Sequence, residues 1–389
     1  MNGGPHLLLL GGGHSQLAVL QALARERAAG WRVTLVTPHA RMLYSGMLPG
    51  WMAGHYRLEQ CAIDLQRLTD AAGVELRPGL AVAIDADRRR VSLADGSVIG
   101  YERLSLDIGS GIALGALEAM AQGTGDRHES QGAGGRSPPS PTLLPVRPLA
   151  GFVAGWQRIV AQAAGRPDYR LAVLGAGAGG VELAFAARHR LGCAVSLVCG
   201  EAGLLPGHAS AVRRRTGKWL VRRGVALLDG PARPEGHTLL LADGSTLEAH
   251  ALLAATGAQV APWLAASGLA LVEGGQVQVD ACQRSVSHAS VFAAGDVCQR
   301  GDGALAGSGV HAVRAGPVLA HNLLASLRDA PLRDWRPRER SLYLLSTGER
   351  HAVMSWGPFT AAGGWVWRWK DHIDRAFIAR HAAVAPRGA

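Results

Sequence analysis

Two glycine clusters have the residue types and spacing to cradle an anion. Gly11-Gly12-Gly13-His14-Ser15-Gln16 follows the apolar run Leu7–Leu10, and Gly175-Ala176-Gly177-Ala178-Gly179-Gly180 follows Leu171–Leu174. A glycine turn between a strand and a helix aims backbone N–H groups and the positive helix end at a phosphate, and side chains there would block it. Gly175, Gly177 and Gly180 keep the full G-x-G-x-x-G spacing of a dinucleotide turn. In the first cluster Gly11 and Gly13 are in place, and Gln16 stands at the third glycine. That position sets helix–strand packing and not phosphate contact, so binding at the turn is still expected, with a looser helix approach. A tight turn without a ligand is the alternative for either cluster. The acid that reads a ribose hydroxyl is missing from both second strands: Thr37 stands in the first and Cys199 in the second, with Glu201 two residues on. The spacing therefore does not choose NADH over NADPH, and Arg213–Arg215 are only loosely placed for a 2′-phosphate.

Sulfur offers less. Cys61, Cys193, Cys199, Cys282 and Cys298 show neither C-x-x-C nor zinc-type spacing, which points to reduced thiols and no metal site. Cys298 lies two residues past Asp296 and is either a reactive thiol of lowered pKa or an inert buried one. His55 and His311 read as structural histidines before proton donors.

The elements that carry these residues repeat. Each glycine cluster sits in a strand–turn–helix–strand unit, with helices at Leu17–Ala28 and Val181–Leu191 and second strands at Val33–Val36 and Val195–Val198. Leu93-Ala94-Asp95-Gly96-Ser97 and Leu241-Ala242-Asp243-Gly244-Ser245 are the same pentapeptide, and Asp-Gly between short apolar runs signals a hairpin. In both copies a glycine, Gly109 or Gly257, closes an apolar strand at equal distance from that leucine. The fold expected is α/β, a tandem duplication of a Rossmann-like plan. Residues 121–150 read as a flexible Gly- and Pro-rich linker, and residues 329–389 as a third, smaller α+β unit with half of the ten tryptophans.

In that last unit Trp365, Trp369, Ile373 and Phe377 form one helical stripe, with Arg368, Lys370, Arg375 and Arg380 on the remaining surface. Tryptophan beside basic residues suits an anionic membrane surface; packing on its own domain or across a homodimer is the alternative. The 389 residues carry 40 Lys plus Arg against 30 Asp plus Glu. Such a basic chain attracts anions, but dispersed arginines and phosphate-binding turns account for the bias without nucleic acid. No charge precedes Leu7–Leu10 and the run stops at Gly11, so no signal peptide is expected. The expected location is cytoplasmic, at most peripheral on the inner face of a membrane.

Val291-Phe292-Ala293-Ala294-Gly295-Asp296 completes the pattern. With the two glycine turns and the strand ends Asp107-Ile108-Gly109 and Ala255-Thr256-Gly257, it resembles the two-dinucleotide-binding-domain flavoproteins of the pyridine nucleotide-disulfide oxidoreductase superfamily. The resemblance implies FAD as cofactor, NAD(P)H as substrate, and a nicotinamide domain (residues 151–257) inserted in an FAD domain (residues 1–120 and 258–328). It implies that Asp296 bonds the ribityl chain and that Gly11, Gly12, Gly13, His14, Ser15, Thr37, Arg41, Pro49, Gly109, Gly257, Gly295 and Ala312 contribute to the cofactor sites. The disulfide-reductase cysteine pair is missing from Tyr44–Gly50. That stretch is similar to the type II NADH dehydrogenase and sulfide:quinone reductase branch. With Leu345–Gly348 and Trp365–Lys370 it is closer still to the flavoprotein found fused or adjacent to selenide, water dikinase, here expected as the unfused form. In Gly180-Val181-Glu182-Leu183-Ala184 the resemblance makes Glu182 a catalytic candidate that approaches the nicotinamide; an ion-paired residue at a domain interface is the alternative. The glutamines of the type II quinone segment are absent from Gly309–Gly316. The activity implied is NAD(P)H oxidation through FAD to a quinone or other small acceptor. Sulfide or selenide handling, with Cys298, is one alternative, and a redox-sensing flavoprotein without turnover is another.

Overall fold

The computed structural model describes residues 4–122, 140–301, 309–338 and 340–382. Two five-stranded parallel sheets organise it. The first runs Val291–Ala293, Arg103–Leu106, His6–Leu10, Arg32–Thr37, Glu75–Pro78, and the second runs Thr142–Pro145, Ala251–Ala254, Arg170–Leu174, Ala194–Val198, Val225–Leu228. The strand that feeds each glycine turn is the central one. It is a continuous apolar run because both faces of the sheet are covered: Leu7 and Leu9 pack among helices, Leu8 and Leu10 against the antiparallel strands Ala81–Asp85 and Arg90–Leu93, and all four are buried. The fold is α/β with two Rossmann-like units, the second inserted in the first: after the second sheet ends at Ala251–Ala254, Val291–Ala293 returns to pair with Arg103–Leu106. The crossing itself is a short antiparallel ribbon of Gly111–Ile112 with Ala258–Gln259.

The two pentapeptides form the same turn. Asp95 Oδ1 accepts from Ser97 N–H (2.9 Å) and Oγ (2.6 Å), and Asp243 Oδ1 accepts from Ser245 N–H (2.9 Å) and Oγ (2.6 Å). The helices begin earlier than their apolar periodicity indicates, at His14–Arg25 and Ala178–Leu191, because the polar and glycine residues of each turn form the first helical turn. On the first unit, helix Gly309–Ser326 crosses His14–Arg25 closely. A Cβ on Gly316 would stand 2.9 Å from that of Ala18.

One boundary needs correction. The expected linker 121–150 ends too late, because Thr142–Pro145 is an edge strand of the second sheet, paired with Ala251–Ala254, and Leu149 begins the helix Leu149–Ala163. The Gly- and Pro-rich part of that linker, residues 123–139, lies outside the described residues, as do residues 383–389 of the expected tail.

The C-terminal unit is α+β: an antiparallel sheet of Leu342–Ser346, Ala352–Trp356 and Phe359–Gly363, then helix Gly364–Ala382. It seals both larger units. Leu345 and Val353 join the core of the second, and Phe377 joins the core of the first. The helix also corrects the expected basic surface, since Lys370 does not face solvent. Its Nζ donates to Gly46 O (2.7 Å) and Asp374 Oδ2 (2.8 Å). No helix among the described residues is long and apolar enough to cross a membrane.

Candidate functional site

The parallel strands of the first sheet deliver their C-terminal ends to one cleft of about 430 Å³. Gly11, Gly12, Gly13, His14, Thr37, Arg41, Gly109, Gly295, Asp296 and Ala312 all line it. The glycines are required by geometry. At φ +91° a Cβ on Gly11 would lie 2.4 Å from Asp107 O, and one on Gly13 would lie 2.2 Å from Asp107 Oδ1. His14 Nε2 is buried in this wall without a hydrogen-bond partner, and burial foremost lowers the imidazole to about 4, so the ring is neutral. An orphaned ring nitrogen, a bare glycine turn and an Asp in the same lining fit a long polar ligand carrying a diphosphate.

Gln16 reaches back to the sheet, its Nε2 donating to Ser105 O (3.1 Å) and Ser105 Oγ (3.0 Å). Hydrogen bonds thus tie helix to strand where the second unit uses glycine contact; there a Cβ on Gly180 would be 1.9 Å from Gly175 O. Ser15 and Pro49 fall behind the cleft wall. Ser15 Oγ donates to Ala312 O (2.9 Å), and Pro49 is buried in the helix Leu48–Met52.

Asp296 is reached by residues that motif reading missed. Arg147, from the second unit, donates to Asp296 Oδ2 and to Ser110 Oγ, and Ser110 Oγ donates to the same carboxylate at 3.3 Å. Arg147 was concealed because it follows the strand Thr142–Pro145, which composition had assigned to a linker.

In the second unit Gly175 (φ +102°) passes against Ala255 O, while a Cβ on Gly177 would meet nothing within 4 Å. Open space at that glycine is where a diphosphate can approach the backbone. Gly257, likewise unobstructed, closes the strand end beside the crossing ribbon. Cys199 is buried, whereas Arg213–Arg215 are exposed on the helix Ser210–Arg222.

A third cluster forms where the second unit meets the C-terminal one. Glu182 Oε1 accepts from Ser346 N–H (2.8 Å). The residue is partly accessible, yet its carboxyl is packed round, and burial raises it to about 7 against the opposing influence of Lys370. Burial works against the Lys370 charge, but Asp374 and Glu182 outweigh it and hold the ammonium above its ordinary range. The cluster abuts Tyr44, which stacks on Phe377 with ring centroids 4.4 Å apart.

Cys298 Sγ donates to Gly295 O (3.6 Å), and burial, with Asp107 and Asp296 nearby, pushes the thiol up. That environment opposes the thiolate a redox cysteine needs. His55 Nε2 bonds Gly348 O (2.8 Å) and His311 Nε2 bonds Ser341 Oγ (3.1 Å), both structural contacts.

Residues 5–322 match the family described as pyridine nucleotide-disulphide oxidoreductase. The epsilon subunit of NADH-dependent phenylglyoxylate dehydrogenase from Aromatoleum evansii is 29% identical over 263 residues, 64% of this chain and 55% of that one. The chain thus spans about half the length of this curated relative. Two solved structures share the fold. Sulfide:quinone oxidoreductase from Aquifex aeolicus has a TM-score of 0.75 at 15% identity, over 99% of this chain and 93% of that one. An NAD-dependent persulfide reductase from A. fulgidus has a TM-score of 0.70 at 17% identity, over 90% of this chain and 63% of that one. The chain belongs to the pyridine nucleotide-disulphide oxidoreductase family.

Proposed function

We propose that the chain oxidises NAD(P)H at the Gly175–Gly180 turn and passes the electrons, through FAD in the first cleft, to a quinone or another small acceptor. FAD, when bound, supplies the hydride-accepting centre; the protein supplies position and electrostatics. Gly11–His14 would hold the FAD diphosphate and Asp296 the ribityl hydroxyls. The observation that carries the acceptor side is the enclosed Glu182–Lys370–Asp374 cluster. A carboxyl raised to about 7 exchanges its proton near neutrality, and a quinone-type acceptor takes up protons with its electrons. Lys370 would hold that carboxyl ready and favour negative charge on the acceptor.

Anaerobic titration with NADH and NADPH, followed at the flavin band, tests the reading: the band should bleach with at least one of them. A flavin that stays oxidised with both would overturn it. In Glu182→Gln, bleaching should persist while turnover with a quinone drops by about 100-fold, the scale of a lost general acid. Asp296→Ala should weaken FAD by roughly 10- to 100-fold, since a hydrogen bond to a charged group contributes ~1.5–3 kcal/mol. Equilibrium dialysis of the apoprotein measures this, and an unchanged Kd would remove Asp296 from the site.

Sulfide or selenide handling is the second reading, favoured by the fold shared with a sulfide:quinone oxidoreductase and a persulfide reductase. Selenide, water dikinase would be its partner. A Cys298→Ser variant that loses only sulfide- or selenide-dependent flavin reduction would select it. The location proposed is cytoplasmic, peripheral on the membrane. Trp365 (50%), Trp369 (40%) and Ile373 (40%) of the helical stripe are exposed, beside Trp356 and Phe359 of the sheet, whereas Phe377 turns inward. The protein should co-sediment with anionic vesicles and be released by high salt. Protein that stays in the supernatant and weighs as a dimer would assign this face to a second copy instead.

A further inference from the structure

The strand end Asp107-Ile108-Gly109 holds an acid where the duplicated unit has none. Asp107 N–H donates to Leu10 O (2.9 Å), which places its side chain directly behind the first glycine turn. The duplication identifies its counterpart. A Cβ on Gly11 would lie 2.4 Å from Asp107 O, and a Cβ on Gly175 would lie 2.4 Å from Ala255 O. So Ala255 holds the same position behind the NAD(P)H turn, with a methyl group in place of a carboxyl.

Asp107 is 3% exposed, and its Oδ2 accepts from Ser15 N–H (2.7 Å) and Gln16 N–H (3.1 Å). Gly13, at the start of this helix, supplies no side-chain cap, so Asp107 caps it from a distant strand. The other oxygen presses on the turn: a Cβ on Gly13 would be 2.2 Å from Oδ1 and one on Gly295 2.8 Å. The carboxyl therefore occupies the positive end of the helix that a diphosphate would also use.

On the reading that FAD lies in this cleft, we propose that Asp107 must carry a proton when the FAD diphosphate is bound, so that FAD binding takes up a proton. The groups facing it do not neutralise its charge. His14, on the same turn, is neutral. The nearby Asp296 carboxylate, next to Gly295, adds a second negative charge, and Arg147 is bonded to Asp296. Cys298 is held as a thiol. Among the described residues no cation is paired with Asp107. Burial, followed by the opposing amide bonds and the added influence of Asp296, already raises it to about 7. A diphosphate at the neighbouring amides raises its proton affinity further. The complex then holds the proton more tightly than the free protein. FAD affinity is flat on the acid side and falls as pH climbs above about 7.

FAD titration of the apoprotein between pH 6 and 9, by flavin fluorescence and by calorimetry in buffers of different ionisation heat, tests this. Wild-type Kd should rise by about tenfold per pH unit above neutrality, with close to one proton taken up. Asp107→Asn, which keeps shape and volume, should bind FAD with a flat profile, as should Asp107→Ala, while NAD(P)H affinity stays flat in all three. A flat wild-type profile with tight FAD would overturn the proposal alone, as would an unchanged slope in the two variants. Wild-type protein that binds no FAD at any pH would overturn the FAD reading and this proposal together.

Discussion

Gly177→Val is expected to abolish NAD(P)H binding while FAD remains in its cleft. The backbone at Gly177 is extended (φ −66°, ψ 176°), and a Cβ there meets nothing within 4 Å. Valine therefore folds without strain and fills only the space a diphosphate would take. Displacing two charge-assisted hydrogen bonds of ~1.5–3 kcal/mol each lowers affinity by at least ~100-fold. The neighbouring glycines make the contrast. A side chain on Gly180 or Gly175 would strike backbone oxygen and damage the unit itself. Flavin bleaching as a function of NADH concentration, with flavin content read from absorbance, checks the prediction. Equal loss of both cofactors would mean that Gly177 supports the fold rather than the ligand.

Lys370→Met should have the largest effect on stability. Its ammonium stands between Asp374 and Glu182 and bonds Gly46 O, so methionine leaves two enclosed carboxyls without their cation. Breaking a buried pair from one side costs about 3–5 kcal/mol. The pH sign follows from Glu182. Its folded pKa of about 7 lies above its ordinary 4.5, so the folded state binds that proton more tightly. Stability from this group is greatest on the acid side and is lost as pH rises from its ordinary value through neutrality. Without Lys370 that loss should deepen, and Glu182→Gln added to Lys370→Met should restore part of it. Melting temperatures between pH 5 and 9 measure both effects, and equal values for wild type and Lys370→Met would show that the cluster is not coupled.

What the sequence discloses here is local. The glycine turns, the twin Asp-Gly hairpins and the Ala-Ala-Gly-Asp strand are each set by a few adjacent residues, and each folds as its spacing indicates. Asp107 looked like one more apolar strand end; it is a buried acid because its strand lies beside Leu7–Leu10, far away in the chain. Lys370 sits in a run of charged and aromatic residues that reads as surface, yet Gly46 O and Asp374 draw it inward. Arg147 and its strand followed a Gly- and Pro-rich run whose composition masked them. The exposed tryptophans were legible because helical period alone places them on one face.

The inserted topology has a consequence for biosynthesis. Every strand of the second sheet lies between Thr142 and Ala254, so that sheet can form from a continuous stretch of nascent chain. The first sheet cannot, because Leu104 must wait for Val291, and its cleft needs Ala312 as well. Closing so long an interval slows folding. The usual order, in which the N-terminal unit matures first on the ribosome, is therefore reversed. Until about three quarters of the chain has emerged, Arg103–Leu106 stays an unpaired edge of its sheet, and a chain truncated before Val291 should aggregate through that edge.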